Sequence, residues 1–303
     1  MIDHPWVDAH IHVSNIGADG VQRATFLADL LDVLDSSGAD LRFIISCDAA
    51  LTRRIIDDPD AMLEVNRLIH EWCRQAPGRL YGSCTINPNH LDESLRCMDA
   101  CFGEWGFVQF GEMLQYMMDY EMNTDAVETL VRRAVEIDVP VQVHVSTSNA
   151  KTGASSFGDE QLQDLFRLVQ RVPEARYVLA HLIGSPKGDP PVATGYLDAI
   201  DKEYGEFPRN FWAEIRDFDS PGVRTALDRV PGDRLIAGTD WTTRIGPPFM
   251  PYGMVFGSDA PEENPYPPSI QSIAELLTSA GCADEQIRRI GWQNATELYD
   301  LKE

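Results

Sequence analysis

A chain of 303 residues, 44% hydrophobic and 24% charged, has the balance of an ordinary globular protein and enough length for one large core. Its 48 acidic against 25 basic residues, net charge −23, argue against a general nucleic-acid binder and against docking on anionic membranes, since both need a basic surface. No run reaches the roughly 18 apolar residues of a membrane span, and MIDHPWVDAH at the start lacks the order of a signal peptide. The expectation is a cytoplasmic protein. Its six cysteines, none in a C-x-x-C pair, are expected to be reduced thiols.

Short β-like runs alternate with longer helical stretches. The expected strands are WVDAHIHV (6–13), LRFIISC (41–47), RLYGSCTI (79–86), GFVQFGE (106–112), VPVQVHV (139–145), ARYVLAH (175–181), NFWAEIRD (210–217) and RLIAGTD (234–240). Helical spacing marks 24–37, with Phe26, Leu27, Leu30, Leu31 and Leu34 before Gly38, and 59–76, with Met62, Val65, Leu68, Ile69 and Trp72. Further helices are expected at 124–138 (Thr124 as N-cap), 159–172, 269–280 and 284–301. Eight strand–helix units predict a single-domain α/β protein over residues 1–303, a (β/α)8 TIM barrel. An open doubly wound sheet is the alternative, and it lacks a G-x-G-x-x-G after the first strand. Residues 241–268 carry seven prolines and no periodicity, and are expected to form an irregular loop or lid over the active-site face.

Polar residues collect at strand ends. Alternation puts Asp8, His10 and His12 on one face of the first strand. His144 lies near the end of the fifth, His181 ends the sixth, Asp240 the eighth and Glu112 the fourth. The C-terminal ends of strands are where barrel active sites lie. Neutral imidazole and carboxylate suit a divalent metal, zinc first and manganese or iron as alternatives. Such a metal acidifies a water, and Asp240 could bind it and also take a proton. A lone histidine or aspartate would be an ordinary core or capping group; the set in register points to a metal site. His4, His70 and His90 fit no such pattern and are read as structural or solvated.

The set His10, His12, His144, His181 and Asp240 resembles that of the amidohydrolase superfamily. With RLYGSCTINP, GFVQFGE, PVQVHVS, YVLAHLIGS, RLIAGTDW and GWQNATELYDL, it is more narrowly similar to the branch that includes aminocarboxymuconate-semialdehyde decarboxylase-like proteins. The resemblance implies a (β/α)8 barrel with one or two divalent metals, and homodimers are common among such relatives. In the superfamily's hydrolases the matches of His10, His12 and Asp240 hold one ion, those of His144 and His181 a second, and a fourth-strand acid bridges both. Glu112 stands in that place. In the decarboxylase-like branch one ion is held by the matches of His10, His12, His144 and Asp240, and His181 would be the catalytic acid/base. That branch usually lacks the fourth-strand acid, so Glu112 departs from it.

Three functions follow as expectations. The first is hydrolysis of an amide, lactone or ester in a small cyclic or aromatic molecule, with Asp240 and His181 catalytic. The second is non-oxidative decarboxylation of an aromatic or unsaturated acid. The third is a non-catalytic, metal-stabilised interaction protein. Candidate substrate contacts are Met113 and Tyr116 just after the fourth strand, Trp241 beside Asp240, and Arg216, which strand alternation puts on the face of Trp212 and Glu214. Lys151, Lys187 and Arg244 are further cations near strand ends. The expected partner is a small-molecule substrate, with no nucleic acid and no membrane.

Overall fold

The computed structural model describes residues 3–13, 31, 35, 40–145, 159–183, 190–216, 218, 222–242 and 270–302. The eight strands are β1 (Trp6–Val13), β2 (Leu41–Cys47), β3 (Leu80–Cys84), β4 (Gln109–Met113), β5 (Val141–His144), β6 (Tyr177–Ile183), β7 (Phe211–Ile215) and β8 (Leu235–Ala237). They lie parallel and in sequence order, each hydrogen-bonded to the next. A ninth short strand, β9 (Trp241–Thr242), pairs parallel with β1 through Ile11 and His12. Only Gly238, Thr239 and Asp240 separate β8 from β9, so the eighth strand is broken in two and its second half closes the sheet on β1. The Asp240 amide also donates to the His10 carbonyl at 2.9 Å. The architecture is a single-domain (β/α)8 barrel.

Around it run α1 (Ala49–Asp57), α2 (Ala61–Gln75), α3 (Leu91–Met98), the short turn α4 (Gln115–Met118), α5 (Asp125–Glu136), α6 (Asp159–Arg171), α7 (Pro190–Tyr204), α8 (Gly222–Arg229), α9 (Ile270–Ala280), α10 (Asp284–Arg288) and α11 (Asn294–Tyr299). Local chemistry sets their starts. Asp48 caps α1 by accepting from the amides of Ala50 and Leu51, and Thr124 caps α5 by accepting from Val127. On α2, Met62, Val65, Ile69 and Trp72 form the buried stripe that the sequence spacing implies. Each such side chain stabilises the fold by roughly 1.5–3 kcal/mol on burial. The closing stretch 284–301 is two helices joined by a π-helical turn, Arg289–Gln293, rather than one. The helix expected at 24–37 falls largely outside the described residues, as do 243–268, the body of the expected lid, and Lys151, Lys187 and Arg244.

Two apolar cores flank the strands. The larger lies between sheet and helices. The smaller fills the barrel interior: Val7, Ala9, Ile44, Val178, Trp212 and Ile236 pack with Ala295, Leu298, Tyr299 and Leu301 from the closing helix and the residues just after it. Hydrocarbon plugs that end, and the polar side chains that pass through the interior are hydrogen-bonded to one another. No helix among the described residues is long and apolar enough to cross a membrane.

Candidate metal centre

On β1 the pleat does not run unbroken. The register shifts between Asp8 and Ile11, which parts Asp8 from the two histidines. Asp8 accepts from the amides of His10 and Thr239, each at 3.0 Å, and from the Thr239 hydroxyl at 2.5 Å. It therefore stitches β1 to the break in the eighth strand and holds Asp240 in place. His10 and His12 point inward past it.

Hydrogen bonds fix the tautomers of both rings. His10 Nδ1 donates to Glu214 Oε2 at 2.8 Å, and His12 Nδ1 donates to the Cys47 carbonyl at 2.9 Å. A carboxylate and a carbonyl only accept, so in the neutral rings both Nε2 atoms present lone pairs. These two atoms are 3.0 Å apart. Asp240 Oδ1 stands 3.2 Å from His12 Nε2 and 3.6 Å from His10 Nε2, and Glu112 Oε2 stands at 3.3 and 3.4 Å. Four electron-pair donors converge on one point, as they do around a bound cation.

A second trio lies beside the first. Glu112 Oε1 is 2.7 Å from His144 Nδ1 and 3.2 Å from His181 Nε2, and those nitrogens are 3.1 Å apart. Within each trio, His10–His12–Asp240 and Glu112–His144–His181, the donor atoms all lie within 4.8 Å of one another. Glu112 thus faces one trio with each oxygen.

Breaks in the strands aim these side chains. Simple alternation puts Glu112 on the face of Phe110, but a register shift between Phe110 and Met113 turns Glu112 inward while its neighbours stay in the outer core. Gly111 makes this possible. Its φ is +140°, and a Cβ there would lie 2.5 Å from the Gln142 carbonyl oxygen. Alternation likewise puts His181 outward with Leu179; its φ of +41° and a register shift between Leu179 and Ile183 bring the ring in. Asp240 has φ of +58°. The other non-glycine residues in this region, Asp119, Asp138 and Asp300, sit at helix C-terminal ends, where the left-handed conformation is ordinary. His181 and Asp240 have no such excuse, and strain of this kind collects at functional sites.

The centre is negative. Burial opposes charge on His10, but Glu214, Glu112 and Asp240 together raise its pKa well above the usual value. His12 is pushed up to about 9: burial and His10 lower it, and Asp240 and Glu112 more than compensate. Burial works against the charges of Glu112 and Asp240 too, yet the surrounding histidines hold Glu112 well below the usual carboxylate range and lower Asp240 as well. Burial lowers His144. Among the described residues, the buried carboxylates of Glu112, Glu214 and Asp240, with the Arg216 guanidinium near Asp240, call for further positive charge, and a divalent ion supplies it where protons otherwise would.

Glu214 is the site residue that motif reading missed. It is fully buried. Besides His10, it accepts from the His181 amide at 3.0 Å and from Gln142 Nε2 at 2.6 Å. Gln142 accepts in turn from Gln109 at 2.8 Å, and Gln109 from the Tyr299 hydroxyl of the closing helix. A Cβ on Gly238 would lie 2.7 Å from the Glu214 carboxyl carbon, which is why glycine precedes Thr239 and Asp240. The signal was present: a glutamate in the middle of the apolar run FWAEI, on the inward face with Trp212. A Glu214→Gln variant is expected to lose roughly 10–100-fold in metal affinity, as partners that orient a ligating histidine do. Metal titration of the folded variant checks this.

Of the expected substrate contacts, Arg216 is buried with its guanidinium 3.7 Å from Asp240 Oδ2. The partly exposed Tyr116 ring lies 4.6 Å from that of His144. Met113 belongs to the outer core, away from the metal centre. Trp241 contributes backbone to β9. Among the others, His70 stacks on Trp105, and His4 Nδ1 lies 2.7 Å from the Pro5 carbonyl.

Solved structures share this fold. A dihydroxybenzoic acid decarboxylase from Polaromonas sp. JS666, with bound manganese and 2-nitroresorcinol, is 16% identical, with a TM-score of 0.68 over 99% of this chain and 98% of that one. A 5-carboxyvanillate decarboxylase from Novosphingobium aromaticivorans, complexed with manganese and 4-hydroxy-3-methoxy-5-nitrobenzoic acid, is 14% identical, with a TM-score of 0.65 over 99% and 97%. A 4-oxalomesaconate hydratase from Rhodopseudomonas palustris is 14% identical, with a TM-score of 0.63 over 97% and 95%. No curated protein sequence matches the chain. Residues 7–243 match the family described as Amidohydrolase, a span that runs from β1 to just past β9 and carries every donor of both trios. The chain belongs to the amidohydrolase family.

Proposed function

We propose that this chain is a metal-dependent hydrolase that cleaves an amide, lactone or ester bond in a small cyclic or aromatic molecule. The observation that carries this reading is the position of Glu112, with one carboxylate oxygen toward each histidine pair, His10–His12 and His144–His181. A carboxylate so placed suits a pair of divalent ions, zinc or manganese. His10, His12 and Asp240 would hold one and His144 and His181 the other, with Glu112 shared. Bound there, such ions supply Lewis acidity toward a carbonyl and acidify a water. Asp240, turned into the centre by its left-handed backbone, is placed to accept the proton of the attacking water and pass it to the leaving group. Arg216, beside Asp240, offers a buried cation for a substrate carboxylate. Tyr116 offers an aromatic wall.

Decarboxylation is the second reading. The aromatic-acid decarboxylases that share the fold favour it, as does a guanidinium next to the metal centre. His181 would then serve as acid/base at carbon. Incubating the metal-loaded protein with lactones, amides, esters and hydroxybenzoic acids in 18O-labelled water separates the two. Label in a product carboxylate without carbon dioxide release supports hydrolysis. Release of carbon dioxide with no label overturns it in favour of decarboxylation.

A further inference from the structure

Apart from the histidine–carboxylate centre, a second group of soft donors lies under the helices. Cys84 ends β3, Cys97 sits in the last turn of α3, and Cys101 lies in the π-helical stretch Asp99–Glu104 that continues it. Their three sulfurs lie within 4.8 Å of one another, and all three side chains are at most 1% exposed. Cys97 and Cys101 are four residues apart, hence on one helix face, with sulfurs 3.9 Å apart. Cys84 meets them from the sheet.

Asn66 of α2 frames the group. Its Nδ2 donates its two hydrogens to the carbonyls of Met62 and Thr85 at 2.9 and 2.7 Å, its Oδ1 accepts from the Thr85 amide, and the same Nδ2 lies 3.3 Å from Cys97 Sγ. Bonds to two backbone segments fix the amide, so the position of its NH2 group beside the sulfur is a built feature. The positive end of that fixed amide dipole offsets part of the charge of a thiolate held beside it. Cys97 Sγ also lies 3.8 Å from the Met62 carbonyl, an acceptor for a proton kept on sulfur.

We propose that Cys84, Cys97 and Cys101 form a separate metal site that binds one monovalent copper ion through three sulfurs. Thiolates select soft ions. Three sulfurs at about 2.3 Å from a central ion stand about 3.8–4.0 Å apart, between tetrahedral and planar arrangements, and the Cys97–Cys101 pair already meets that spacing. Structural zinc takes four ligands, whereas among the described residues no fourth histidine, cysteine or carboxylate joins this trio. Three-coordination without a hard donor suits copper(I). Binding is ligand exchange: two thiols release protons, the third stays protonated, and copper remains at +1. The complex then carries one net negative charge beside the Asn66 NH2 group.

The test uses the full-length, reduced protein with its histidine–carboxylate centre first loaded with manganese, handled without oxygen. Copper(I) is offered as its coloured bicinchoninate complex. Withdrawal of about one equivalent per chain, with X-ray absorption showing three sulfurs and no nitrogen or oxygen neighbour, is the expected result. A Cys101→Ser variant is expected to lose that uptake and keep its manganese. No withdrawal by folded wild type would overturn the proposal and leave the cysteines as small apolar packing groups. A shell containing nitrogen or oxygen would overturn it as well, and so would equal uptake by Cys101→Ser. Should that variant fail to fold, the absorption spectrum of wild type still decides.

Discussion

A Glu112→Gln variant is expected to carry about one divalent ion per chain where wild type carries about two, and to turn over roughly 10³-fold more slowly. The amide keeps the shape of the carboxylate and loses its charge. It also puts an NH2 group where one oxygen stood, facing either His10 and His12 at 3.4 and 3.3 Å or His144 and His181 at 2.7 and 3.2 Å. Whichever way it turns, one trio faces a donor that cannot bind a cation. A 10³-fold loss is about 4 kcal/mol of transition-state stabilisation, the scale of removing one ion from a two-ion clamp. Elemental mass spectrometry on protein prepared without chelator gives the stoichiometry, and initial rates give the loss. One ion in wild type, unchanged in the variant, would make Glu112 a mere partner of His144, free His181 for acid/base chemistry and favour decarboxylation.

That prediction rests on Glu112, whose importance is visible in the sequence for a reason the structure revises. The strand order and the histidines at strand ends follow from period-two runs separated by helical spacing, and every expected strand is present within a few residues. Thr124 caps its helix as its position implies. What alternation could not supply is the aim of the side chains. Regular alternation would have placed Asp8 in the centre and Glu112 with Phe110. Register shifts in β1, β4 and β6, with left-handed backbone at His181 and Asp240, decide otherwise. Such breaks depend on close approaches between distant segments, such as Gly111 against Gln142 or Gly238 against Glu214. No local pattern encodes them beyond the glycines themselves.

The same logic explains why the polar interior is tolerated. The chain Tyr299–Gln109–Gln142–Glu214–His10 carries hydrogen bonds from the closing helix to the metal centre through the middle of the barrel. A single unpaired member would cost about 1–3 kcal/mol. Fully paired, the chain fixes the His10 ring without side-chain freedom. The hydrocarbon plug below it keeps water from competing for those bonds.

An Asp240→Asn variant, compared with wild type at equal metal content, is expected to lose about 10²–10⁴-fold in kcat, the usual contribution of a positioned acid/base. The substitution is isosteric, and the Asp240 amide that bonds the His10 carbonyl is untouched, so closure of β9 on β1 persists. The second trio, Glu112, His144 and His181, keeps all its donors. Loss should therefore fall on kcat more than on KM, with circular dichroism unchanged and at least one ion retained. Arg216 sharpens the test. In wild type its guanidinium is 3.7 Å from an Asp240 oxygen; with asparagine there, that cation loses a charged neighbour and is freer to hold a substrate carboxylate. KM for an acidic substrate should then fall or stay level while kcat collapses. Full turnover in a folded, metal-loaded Asp240→Asn protein would remove Asp240 from the chemistry. Absence of turnover in wild type across both substrate classes, with metal bound and folding intact, would leave the centre as a structural brace.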